Sequence, residues 1–183
     1  MSSSPFKRAT VIAATLGSLA LALPASAQES EGPDRLNETY RDWVVQCVTQ
    51  AVSQPQDGAA STRVCEMVQQ LSQRESGQRV LTVGLRRTEG GGTAMTVIAP
   101  FGVLLSDGVR IRLEDTDVIQ MGFLTCLSNG CIANADLESD AVAAMERGTG
   151  ATVRMQTLQG QALDLEVSLM GFTAAMNRLR SLD

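Results

Sequence analysis

Apolar residues recur at every second position in short runs along most of the chain. Trp43, Val45 and Cys47 do so, as do Leu81, Val83 and Leu85, then Val109, Ile111 and Leu113, and finally Leu163, Leu165 and Val167. A period of two gives an extended strand one apolar and one polar face, so each run must lie against a core on one side only. The intervening positions agree: Arg110, Arg112 and Glu114 fill one run, Asp164, Glu166 and Ser168 another. Similar β-prone stretches are expected at 63–71, 94–99, 119–123 (continuing toward Cys126) and 153–155. Between them lie turn signals such as Ser106-Asp107-Gly108, Asn129-Gly130 and Gln159-Gly160. Many short strands joined by tight turns predict an antiparallel β-sandwich.

Two segments break this period. Leu137, Ala141, Ala144 and Met145 share one helical face, with Asp136 placed to cap, Glu138 and Asp140 in the first turn, and Arg147-Gly148 at the end. Phe172, Ala175, Met176, Leu179 and Leu182 form a second such face, with Arg178 and Arg180 in the last turn. The expected fold is therefore mainly β: an antiparallel β-sandwich with a short inserted helix, a C-terminal helix and two disulfides. Met121, Met145, Met155 and Met176 fall at core positions. An outer-membrane barrel does not fit, because charges occupy the alternate faces and aromatic girdles are missing.

The N-terminus has a different character. Lys7 and Arg8 precede an apolar run from Ala9 to Leu23, and Ala25-Ser26-Ala27 follows. This is the build of a cleaved secretory signal over residues 1–27, with the cut between Ala27 and Gln28. The run is shorter than the roughly 20 residues that a membrane-spanning helix needs, so no membrane span is expected after cleavage. Residues 28–41 are polar and read as a flexible lead-in, which leaves 42–183 as a single domain. Cleavage removes Lys7, the only lysine, and every remaining basic residue is an arginine.

In an exported chain the four cysteines, Cys47, Cys65, Cys126 and Cys131, imply two disulfides. Three connectivities exist, and local geometry favours Cys47–Cys65 and Cys126–Cys131. The second pair brackets the turn at Asn129-Gly130, and the first closes the base of a polar loop. A four-thiolate zinc site would want two close pairs, and a redox pair would want C-x-x-C; neither spacing is present.

Chemistry is harder to find. Histidine is absent, which removes the common catalytic triads and most zinc and copper sites. The net charge of −5 argues against a nucleic-acid partner, and at 3% aromatic content there is no stacking platform. No phosphate-binding or dinucleotide fingerprint occurs. Glu114-Asp115-Thr116-Asp117 is the densest acidic cluster, and its simplest role is a solvated turn. As an alternative it would supply a carboxylate-based hydrolase or a Ca²⁺-binding module. No cofactor, metal site or catalytic residue is otherwise expected.

A set of blocks in fixed order resembles the invasion-associated locus B family of exported bacterial proteins. They are Asp42-Trp43 leading to Cys47, Pro100-Phe101-Gly102-Val103-Leu104-Leu105 with Asp107-Gly108-Val109-Arg110-Ile111, Phe123 to Cys126 with Gly130-Cys131, and Ser168-Leu169-Met170-Gly171-Phe172 with Ala175. The resemblance implies an envelope or secreted protein of a Gram-negative bacterium, in some members linked to host-cell entry. It transfers no catalytic residue. The matched residues read as scaffold, with Gly at turns, Cys in staples, and Phe and Trp in the core. The expected function is thus non-enzymatic binding of another protein, of the envelope or of a host. The periplasm is the expected location, with the outer-membrane surface or the medium as alternatives. Loops on rigid sandwiches commonly carry recognition, which directs attention to the polar loop at 52–61 and its residues Gln54, Gln56 and Asp57.

Overall fold

The computed structural model describes residues 35–52 and 60–182. Its strands are β1 (Arg35–Tyr40), β2 (Trp43–Val52), β3 (Ala60–Ser72), β4 (Arg79–Arg87), β5 (Thr93–Ala99), β6 (Val109–Leu113), β7 (Thr116–Met121), β8 (Phe123–Leu127), β9 (Gly130–Leu137), β10 (Gly150–Gln156) and β11 (Ala162–Ser168). Helix α1 (Ser139–Arg147) is inserted between β9 and β10, and α2 (Phe172–Arg180) ends the described chain. The strands form two antiparallel sheets. One has seven strands in the order β1-β2-β3-β4-β5-β9-β8, the other four in the order β11-β10-β6-β7.

In β2, β6, β10 and β11 the alternation read from the sequence is an alternation of burial, whereas in β4 residues 81–85 are all buried. Trp43, Val45, Met67, Leu81, Val83, Leu85, Met95 and Val97 line the inner face of the large sheet and are almost wholly buried. Val109, Ile111, Ile119, Met121, Val153, Met155 and Val167 line the facing side of the small sheet, and all join one core. Helix α2 lays Phe172, Ala175, Met176 and Leu179 into the same core, next to β1–β4. All four methionines expected in the core are there.

Both disulfides form as expected, Cys47–Cys65 and Cys126–Cys131. Each joins residues directly opposite on neighbouring strands, with Cα atoms 4.1 and 3.9 Å apart. That is close to the spacing of a non-hydrogen-bonded antiparallel pair. In the second hairpin the turn residues are Ser128 and Asn129, and Gly130 carries the positive φ of 136°. A Cβ at Gly130 would collide with the Ala99 carbonyl on β5, so the glycine also permits close approach of the two strands.

Four expectations need correction. Residues 35–40 of the lead-in are an edge strand, because they pair with β2 and Glu38 bonds Arg178 on α2. The single strand expected across 119–126 is two. The chain breaks at Gly122, where β7 leaves the small sheet and β8 joins the large one, as strands do at sandwich corners. Residues 130–137 form β9, which pairs with β5 through Thr93–Leu137. That pairing holds Asp136 opposite Ala94 in the sheet, so it cannot cap α1. The N-cap position falls to Glu138, whose side chain makes no capping bond.

Candidate functional site

The acidic stretch at 114–117 spans the β6–β7 turn, at 114–115, and the first two residues of β7. Glu114 takes the left-handed conformation there (φ 52°), and all four residues are exposed. Asp117 is engaged by arginine. Its Oδ1 lies 2.9 Å from Arg112 Nε, and its Oδ2 is 3.9 Å from Arg110 Nε. Arg112 also donates from Nη2 to the Asp115 carbonyl, 2.8 Å away. These contacts continue across the outer face of the small sheet. Arg154 is paired directly opposite Arg110, and it donates from Nε and Nη2 to the two oxygens of Asp164 at 2.7 and 2.6 Å. The Arg154 guanidinium holds the Asp164 carboxyl below its ordinary range, and the pairing raises Arg154 in turn. Three arginines and their carboxylates thus form a ladder of cross-strand ion pairs. Among the described residues no three His, Cys, Asp or Glu side chains are grouped to hold a metal ion.

A second polar cluster ties the chain ends together. Arg178 on α2 donates from Nε and Nη2 to both oxygens of Glu38 on β1, at 2.7 and 2.9 Å. Tyr40 donates its hydroxyl to the same carboxylate at 2.9 Å. The bonds from Arg178 and Tyr40 lower the Glu38 pKa, and the neighbouring carboxylate raises that of the Tyr40 hydroxyl.

Ser168, at the end of β11, is the junction that sequence reasoning missed. Its carbonyl accepts from Trp43 Nε1 and from Gln69 Nε2, both at 2.9 Å, and its N–H donates to Gln69 Oε1 at 2.9 Å. Its hydroxyl donates to Asp42 Oδ2. Gln69 is buried on an inner face otherwise built of Met67 and Leu71. That polar residue in an apolar row was the available signal. Trp43 packs edge-on against Phe172, with ring centroids 5.3 Å apart and planes at 84°. This cluster positions the C-terminal helix and leaves no reactive group exposed.

Two neighbouring loops expose large apolar side chains. Phe101 is 63% exposed and Leu158 65%, on loops joined by the Leu158 N–H to Gly102 carbonyl bond, with Leu105 exposed nearby in sequence. Phe101 was expected in the core. It is excluded because Val103 takes the buried position, bridged to Thr157. Gln54, Gln56 and Asp57, like Ala27 and Gln28, lie outside the described residues. Among the described residues no helix is long and apolar enough to cross a membrane.

Comparison with known proteins agrees with these features. Residues 43–180 match the family model described as Invasion associated locus B (IalB) protein. An invasion protein B homolog of Brucella abortus (strain 2308) is 35% identical over 176 residues, 96% of each chain. Invasion protein B of Bartonella bacilliformis is 28% identical over 163 residues, covering 87% of this chain and 82% of that one. The crystal structure of invasion associated protein B from Bartonella henselae superposes with a TM-score of 0.68 at 28% identity, covering 80% of this chain and 97% of that one. With its two sheets, paired staples and matched blocks, the chain belongs to the invasion-associated locus B family.

Proposed function

We propose that this protein is exported and acts without catalysis, by binding another protein of the bacterial envelope or of a host cell. The observation that carries this reading is the division of its surface. The arginines and carboxylates of the small sheet engage one another, whereas Phe101 and Leu158 project from loops of a doubly stapled sandwich. Apolar side chains grouped on a rigid surface mark interaction sites. The relatives named as invasion proteins support a role in contact with host cells.

Two disulfides fit an oxidising compartment. We assign residues 1–27 to a signal cleaved between Ala27 and Gln28, with the periplasm as destination and the outer-membrane surface or the medium as alternatives. The mature chain would then be one domain over 42–183, extended by β1. Gln54, Gln56 and Asp57, in the polar stretch between Cys47 and Cys65, are a second proposed contact region.

In-cell cross-linking of the tagged protein, with mass spectrometry of what it captures, tests the reading. One dominant partner, displaced by excess untagged protein, is the expected result. Absence of any displaceable partner would overturn it and return attention to substrate screens around 114–117.

A further inference from the structure

The fold leaves an oxidant few places to react. The side chains most open to peroxides and hypohalous acids are the thiol, the thioether, the indole and the imidazole. Histidine is absent, and all four cysteines are held in disulfides. Trp43, the only tryptophan, is fully buried, and its indole N–H is bonded to the Ser168 carbonyl. The chain has eight methionines, of which Met1 lies outside the described residues. Met67, Met95, Met121, Met145, Met155 and Met176 are each no more than 3% exposed, and all pack in the one core. Met170 is 48% exposed.

The turn between β11 and α2 explains this difference. Leu169 and Phe172 take the buried positions there, and Met170 between them stays out of the core. Its main chain is tied on both sides. The Met170 N–H donates to Ser168 Oγ at 3.1 Å, and its carbonyl accepts from the Asp42 N–H at 3.4 Å. The turn is therefore held by backbone bonds that do not use the thioether. A sulfoxide at Met170 places its new polar oxygen in water. At a buried methionine the same oxygen would be forced among apolar side chains, at a cost to the fold.

We propose that Met170 is the position at which the folded protein takes up oxidant, and that its sulfoxide is a substrate for thiol-dependent methionine sulfoxide reductases. The oxidant class is a peroxide or a hypohalous acid. With hydrogen peroxide, a lone pair on Met170 Sδ attacks one peroxide oxygen. The S–O bond forms as the O–O bond breaks, and the proton on the transferred oxygen passes to the departing hydroxide, which leaves as water. The sulfur gives up an electron pair and the peroxide accepts it. In the reverse direction a reductase dithiol becomes a disulfide, and the oxygen leaves as water. This chemistry is independent of the protein-binding reading above, and its test does not require a partner.

The full chain, with both disulfides formed, is treated with increasing hydrogen peroxide, and each methionine is followed by mass spectrometry of its peptides. Met170 should gain one oxygen about tenfold or more faster than any buried methionine, since those react only when the fold opens. In denaturant that advantage should vanish. Met170→Leu should leave the folded chain with no fast-reacting methionine and an unchanged melting temperature. Protein oxidised at Met170 alone should also melt where the untreated protein does. A stoichiometric pair of prereduced reductases, one for each sulfoxide epimer, should restore it without unfolding. Equal rates at Met170 and a buried methionine in the folded protein would overturn the proposal. So would an advantage that persists in denaturant, because local sequence and not the fold would then set it. A melting temperature lowered by oxidation of Met170 would show that its sulfur belongs to the packing, and a sulfoxide that the reductases fail to reach would remove their role.

Discussion

The two sheets turn opposite kinds of outer face to solvent. That of the small sheet is a charged ladder in which Arg112 meets Asp117 and Arg154 meets Asp164. That of the large sheet has a trough of small side chains, where the Thr82 hydroxyl and the Gln70 amide go unmatched. Both belong to antiparallel strands whose inner residues share one core, so packing does not explain the contrast. A face that satisfies its own polar groups is complete in water. One that buries a hydroxyl without a partner carries a cost in stability that substitution can recover.

This contrast can be broken at several points, and the inner face sets the largest effect. Trp43→Ala should cost about 3–5 kcal/mol in denaturant unfolding, by leaving a cavity next to Phe172. A loss well below that would mean that the sheets do not depend on one core. Removal of the Cys47–Cys65 bridge by replacing both cysteines with Ala should cost about 3 kcal/mol. The same change at Cys126 and Cys131 should cost about 2, because the loop it closes is shorter. Equal losses would show that the chain-entropy account fails here.

The charged ladder should answer to pH and salt. Asp164 and Glu38 have lowered folded-state pKa values, caused first by hydrogen bonds from Arg154 and Arg178. Their contribution is therefore present above the unfolded carboxylate value of about 4 and is lost as pH falls through the folded values. Asp164→Asn should flatten the acid limb of a melting-temperature profile, with little change at pH 7 in high salt. An acid limb unchanged in both Asp164→Asn and Glu38→Gln would place the sensitivity elsewhere. The smallest effect concerns the trough. Thr82→Val should raise stability by about 1 kcal/mol, since an unpaired buried hydroxyl gives way to a methyl group. A loss instead would show that the hydroxyl is bonded in the free protein.

Legibility in the sequence followed the strength of the local pattern. Runs such as 81–85 and 109–113 declared their faces because Leu, Val and Ile alternated with Thr82, Gly84, Arg110 and Arg112. β9 did not, since Ala133 and Ala135 have weak strand preference and Asp136 looked like a helix cap. β1 was hidden for a related reason: Asn37 and Glu38 disfavour strands, and its support comes from Arg178, far away in sequence. The exposure of Phe101 depended on which of its neighbours reached the core. The trough was invisible too, because Val44, Val68, Gly84 and Thr96 become a row only when four strands are set in register. Sequence reasoning reads elements; it cannot read the rows that cross them.

The cover over Trp43 comes from residues that follow every described strand or close the last one. Phe172 lies against its ring, Ser168 bonds its indole, and Gly171 sits so close to the Tyr40 carbonyl that no Cβ would fit. A polypeptide that emerges N-terminus first, from a ribosome or through a translocation pore, exposes β1 and β2 long before this cover exists. A chain cut after Ser168 would contain every described strand and still have an open core. Closure of the fold therefore waits until residues 168–179 have emerged, and the interval before that is when the chain most depends on whatever escorts it.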